Sequence, residues 1–91
     1  MQLLRTHKER ESNPDYLNLD RRGLTTFPKV EETSKLRLLS LQHNLLNSFE
    51  NLKEQQFPHL VFLDVYDNQL DRINFLDNLM NVRVLMMGKN R

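Results

Sequence analysis

Apolar residues return along this chain in one fixed order. Leu36-x-x-Leu39-x-Leu41-x-x-Asn44-x-Leu46 is followed by Leu60-x-x-Leu63-x-Val65-x-x-Asn68-x-Leu70, and then by Val82-x-x-Leu85-x-Met87-x-x-Asn90. The alternation at Leu39 and Leu41, and at Leu63 and Val65, is that of a short strand with one face turned inward. Between these strands the spacing lengthens: Phe49-x-x-Leu52 and Ile73-x-x-Leu76-x-x-Leu79 follow a helical period. The pattern therefore predicts strands joined by short helices or 3₁₀ turns, with Pro28 and Pro58 marking breaks near the chain reversals.

Subtraction gives the period. Asn68 to Asn90 and Leu63 to Leu85 are each 22 residues, while Asn44 to Asn68 is 24. The two extra residues are expected within Lys53-Glu54-Gln55-Gln56. Stepping back 22 residues from Leu39 and Leu41 reaches Leu17 and Leu19, and the same step from Leu46 and Phe49 reaches Leu24 and Phe27. A degenerate first repeat thus begins near Pro14, with Arg22 in the asparagine position. On the return path Phe27, Phe49 and Ile73 share one position, Val30, Leu52 and Leu76 the next, and Thr33, Phe57 and Leu79 the last.

This is the spacing of a leucine-rich repeat. It predicts an α/β solenoid with short parallel strands on a concave face and short helices or 3₁₀ turns on the convex face. Residues 14–35, 36–59 and 60–81 form repeats, and 82–91 a partial one, so the solenoid is expected to be truncated in its last repeat. Residues 1–13 form an N-terminal cap or tail; helix formers without Gly or Pro from Gln2 to Arg10 predict a helix there, or a cover for the edge of the first repeat. No repeat can bury its apolar face alone, so stability depends on stacking. Leu85 and Met87 are expected to lack a covering neighbour, with Leu76 and Leu79 only partly protected, which predicts self-association through that end or marginal stability.

Asn44, Asn68 and Asn90 fall just past each strand, where the chain turns inward. An amide there can donate and accept, and so satisfy backbone groups of its own and the adjacent repeat. The outward strand positions define a candidate partner-binding face: Leu38, Ser40 and Gln42; Phe62, Asp64 and Tyr66; Val84 and Met86, with Asn18 and Asp20 continuing it into the first repeat. Leu38, Phe62 and Val84 are equivalent and should form an apolar stripe, the kind of surface that marks an interaction site.

Composition narrows the setting. In 91 residues, 13 basic and 12 acidic side chains are well mixed and leave a net charge of +1, so neither nucleic acid nor a membrane surface is the expected partner. Cysteine is absent, which excludes a disulfide framework and thiolate metal sites. Because extracellular repeats of this type commonly carry cysteine-rich caps, a cytoplasmic setting is expected. The opening Met1-Gln2-Leu3-Leu4 is too short for a signal-peptide core, and no apolar run approaches a membrane span.

Catalytic chemistry finds no foothold in the sequence, so the expectation is a non-enzyme without cofactor or metal. His7, His43 and His59 have no ligand spacing, though His43 should lie near Asp67 of the next repeat. Asp64, Asp67 and Asp71 read as solvated carboxylates beside Tyr66. Gly23 and Gly88 each stand alone, and Gly88 occupies the place of Gln42 and Tyr66, where it should relieve crowding. There is no Ser-His-Asp order or phosphate loop.

The 22-residue spacing resembles the short repeats of the phosphatase-1 regulatory subunit and of axonemal dynein light chain leucine-rich-repeat proteins. Several segments draw the resemblance closer: Glu9-Arg10-Glu11-Ser12-Asn13-Pro14-Asp15 with Leu17-Asn18-Leu19-Asp20-Arg21-Arg22, Gln42-His43-Asn44, Leu63-Asp64-Val65-Tyr66-Asp67-Asn68-Gln69, and Gly88-Lys89-Asn90-Arg91. From about Lys8 to Arg91 the chain is similar to the N-terminal repeats of the leucine-rich-repeat subunit of the tubulin polyglutamylase complex. That resemblance implies a non-catalytic scaffold at microtubules, centriolar satellites or cilia, with subunits of a tubulin-modifying complex as partners. Family members carry further repeats and a C-terminal extension. The alternative expectation is that these repeats only cap a longer solenoid whose later repeats recognise the partner.

Overall fold

The computed structural model describes residues 2–3, 14–71, 79 and 81–91. Its main element is a four-stranded parallel sheet of β2 (Tyr16–Asn18), β4 (Leu38–Ser40), β5 (Phe62–Asp64) and β6 (Val84–Met86), in that spatial order. Leu17, Leu39, Leu63 and Leu85 pair across it in register. The longer step between the second and third repeats therefore leaves the front of the molecule in phase. Backbone bonds extend the ladder beyond the strands, with Leu19 N–H donating to Ser40 O, Leu41 N–H to Asp64 O and Val65 N–H to Met86 O at 2.7–2.9 Å.

Behind the sheet lies a core of leucines and phenylalanines. Leu36, Leu39, Leu41, Leu46, Leu60, Leu63 and Val65 are fully buried, as are Phe49 and Leu52 of the return path. Burying each such side chain stabilises by about 1.5–3 kcal/mol before chain entropy is counted. Phe27 sits between two aromatic neighbours, with its ring centroid 6.3 Å from Phe49 and 6.1 Å from Phe57. Leu85 and Met87 are only half-buried against this core, as expected, whereas Leu79 is buried more fully than expected, at 6% exposure. Ile73 and Leu76 lie outside the described residues.

The return paths differ from one another. In the second repeat Phe49 precedes a 3₁₀ turn over Glu50–Glu54, which meets the expectation and overlaps the stretch expected to hold the two extra residues. The first repeat instead runs through an extended β3 (Lys29–Val30) before a shorter 3₁₀ turn at Thr33–Lys35. Side-chain amides tie the two paths together. Asn51 Nδ2 donates to Phe27 O at 2.9 Å, while Gln55 donates to Pro28 O and accepts from Val30 N–H.

The N-terminal segment corrects an expectation. Gln2–Leu3 form a short strand, β1, parallel to β3, with Gln2 opposite Lys29 and Leu3 opposite Val30. Helix propensity there gives way to parallel pairing with the extended β3. The cover over the first repeat is thus begun by a strand; residues 4–13, including the rest of the expected helix and His7, lie outside the described residues.

One backbone feature recurs with each repeat. Arg21, His43, Asp67 and Lys89 all adopt a left-handed conformation, with φ between 54° and 57°. Each immediately precedes the asparagine position. The backbone there must reverse sharply so that the next side chain can point inward, and that need overrides the roughly 1–2 kcal/mol that a non-glycine residue loses in this region.

Candidate functional site

The asparagines meet their structural expectation. Asn44 Oδ1 accepts from Arg22 N–H at 2.8 Å and Leu24 N–H at 3.2 Å, while its Nδ2 lies 3.0 Å from both Leu19 O and Leu41 O. Asn68 repeats the arrangement one strand on, accepting from Leu46 N–H and donating to Leu41 O and Val65 O. Asn90 does so again with Leu70 N–H, Val65 O and Met87 O. Each amide joins its own repeat to the one before it. Arg22 contributes only its backbone N–H to this ladder.

The opposite face of the sheet carries the candidate partner-binding residues. Strand register places Leu38, Phe62 and Val84 side by side, so the expected apolar stripe is present. Tyr16 heads the same row opposite Leu38, and stepping 22 residues back from Leu38 would have found it. Tyr16 and Val84 are exposed at the two ends, with Leu38 and Phe62 half-buried between them. Met86 lies in the next row and is 44% exposed.

The polar half of the site is closed on itself. Ser40 and Asp64, expected to face a partner, are only 6% and 8% exposed. Ser40 Oγ donates to Asp20 Oδ1 at 2.7 Å, and the same oxygen accepts from Gln42 N–H at 2.8 Å. Asp64 accepts from the Gln42 side-chain amide and from Tyr66 N–H. Asp64 is thus not the solvated carboxylate expected: neighbouring polar groups satisfy it, which removes the usual cost of burying a carboxylate. Asn18 Oδ1 accepts from Asp20 N–H at the start of the same row. These bonds hold the sheet's surface rigid beside the apolar stripe.

At the rim, His43 Nδ1 and Asp67 Oδ2 are 2.7 Å apart, which places the two as expected. The pair is partly exposed, and such pairs contribute at most about 1 kcal/mol. The Tyr66 ring stands edge-on to His43, with centroids 5.8 Å apart, and rests on Gly88. A Cβ at position 88 would come within 3.0 Å of two Tyr66 ring carbons, so glycine does relieve crowding there. Asp71 is exposed and His59 lies on the Pro58 turn, apart from this cluster. Among the described residues, no three His, Asp or Glu side chains gather in a way that could hold a metal ion, and no helix is long and apolar enough to cross a membrane.

Parallel strands in register, asparagines bridging successive repeats and leucines stacked behind them define the repeat unit. The sequence is 40% identical over 77 residues to human leucine-rich repeat-containing protein 49. This chain is a leucine-rich-repeat protein. The match covers 85% of the chain but only 11% of that relative. No family model matches the leucine-rich-repeat chain, and no solved structure matches it.

Proposed function

We propose that this chain is a protein-interaction scaffold whose leucine-rich repeats form one solenoid, residues 14–91, and present the open face of the sheet as a concave docking surface. The observation that carries this reading is the register-aligned row Tyr16, Leu38, Phe62 and Val84, an apolar row on the outer face of a sheet whose inward Leu17, Leu39 and Leu63 are buried. Tyr66 and Met86 enlarge it, and the satisfied network of Ser40, Gln42 and Asp64 supports it from beside. Aromatic residues in such a patch carry a large share of binding energy at low entropic cost. The resemblance of the Glu9–Asp15 and Tyr66–Gln69 segments to the polyglutamylase subunit supports a cytoplasmic setting at microtubules or cilia. It also favours subunits of a tubulin-modifying complex as the partners.

Alanine at both Phe62 and Tyr66 tests the reading. Capture of the tubulin-polyglutamylating complex from ciliated-cell extract should fall by at least about 30-fold, as for loss of about 2 kcal/mol at a binding hot spot. The thermal midpoint should stay close to the parent's. Unchanged capture would assign these repeats a purely structural, capping role.

The edge of the sheet supports a second contact. Val84 and Met86 are exposed on β6, Leu85 beneath them is half-buried, and β6 has one strand neighbour among the described residues. Strand edges with apolar flanks pair readily. Light scattering should therefore show mass rising with concentration toward a dimer, and a constant monomer mass up to high concentration would count against it.

A further inference from the structure

We propose that the open face of the sheet takes an amphipathic α-helix of a partner protein, laid across the strands with an acidic flank against Arg37 and Arg83. The proposal rests on the reading of that face as a docking surface and adds the shape and charge of what it holds.

The argument begins with spacing. Parallel strands lie about 4.8 Å apart, so the four side chains of the apolar row span about 14 Å. A helix presents one apolar residue per turn, at three- and four-residue steps, with a rise of about 5.3 Å each time. Four such residues span about 16 Å, and a modest tilt brings every turn over one strand. An extended segment presents same-face residues about 6.6 Å apart, so four of them span about 20 Å and drift out of step by more than a full strand. The row therefore matches a helix and not a strand.

Charge supplies the orientation. Arg37 and Arg83 are both exposed, and each stands one residue before the apolar row. The backbone ladder aligns them, since Val61 N–H donates to Arg37 O and Arg83 N–H to Val61 O. They are thus two strand steps apart, about 9.6 Å. Carboxylates seven residues apart on a helix are separated by about 10.5 Å along its axis. On the other side of the row the carboxylates of Asp20 and Asp64 are already bonded within the sheet surface. Exposed Asp15, one residue before Tyr16, heads the same flank in register with Arg37, so the acidic residues of the partner lie over Arg37 and Arg83 and stop short of the Tyr16 end.

The probe is a synthetic peptide locked as a helix, with leucines at three- and four-residue steps and glutamates seven residues apart on one flank. Two controls accompany it: the same helix with lysines for the glutamates, and a peptide of identical composition rearranged to alternate apolar and polar residues. Fluorescence anisotropy on the full chain should show the acidic helix binding at least tenfold tighter than either control. The double variant Arg37→Glu, Arg83→Glu should reverse the preference toward the lysine helix. Equal or tighter binding of the alternating peptide, indifference to the flank charge, or no binding of any peptide overturns the proposal. If the alternating peptide binds and loses that binding in Phe62→Ala, the face remains a docking surface and only the helix is excluded. If the acidic helix binds equally well to Phe62→Ala, the face itself is excluded and the proposal falls with it.

Discussion

Phe27→Ala should lower stability by about 3–5 kcal/mol, the range for removing a buried phenylalanine ring. Phe27 is 1% exposed and its ring meets both Phe49 and Phe57. It packs where the return paths of the first two repeats meet, and the Asn51 and Gln55 side chains hold the backbone there through Phe27 O and Pro28 O, which opposes collapse into the cavity. A domain of this size has about 5–15 kcal/mol in total, and each kcal/mol moves the midpoint by about 4–8 °C. Thermal unfolding followed by circular dichroism should thus show a fall of more than about 12 °C. A shift under about 4 °C would mean that the first two return paths do not pack as described.

The second large effect belongs to Asn44. Alanine there leaves the N–H groups of Arg22 and Leu24 and the carbonyls of Leu19 and Leu41 without this partner, in a site where the side chain is 5% exposed. Each buried group left unsatisfied costs about 1–3 kcal/mol, less where water can reach it, so a loss of about 3 kcal/mol is expected. Asn44→Asp separates the two halves of the amide. It keeps the acceptor for Arg22 and Leu24 but turns a carboxylate toward the carbonyls. Those carbonyls favour the protonated acid, so the folded-state pKa of the new aspartate lies above its unfolded value. Its destabilisation should therefore be greatest above the folded pKa and shrink as pH falls through it. Denaturant titrations at neutral and acidic pH read this directly. An Asp variant as stable as the parent at neutral pH would show that the donor side of the amide contributes nothing.

Much of this arrangement was legible because the repeat compares the chain with itself. Leu17, Leu39, Leu63 and Leu85 pair as subtraction requires, and the bonds of Asn44, Asn68 and Asn90 follow from the chemistry of an amide at an inward turn. The proximity of His43 and Asp67 came from the same arithmetic. Local readings fared less well. Gln2 and Leu3 have no periodic signal of their own, and their pairing with Lys29 and Val30 depends on a partner far along the chain. Ser40 and Asp64 occupy outward positions, yet Asp20 and Gln42 cover them, which alternation alone cannot show. The left-handed turns were silent for a different reason. Arg21, His43, Asp67 and Lys89 share no residue type, and only their common place before the asparagine position marks them.

That variety has a consequence for how such a protein can change. The backbone bend at these places is enforced by the ladder beside it, so the identity of the residue bending is left nearly unconstrained, provided it is not β-branched. An arginine, a histidine, an aspartate and a lysine already sit along one border, a palette of charges mounted on a common frame. Drift or engineering can repaint that border one repeat at a time while the oily interior stays as it is.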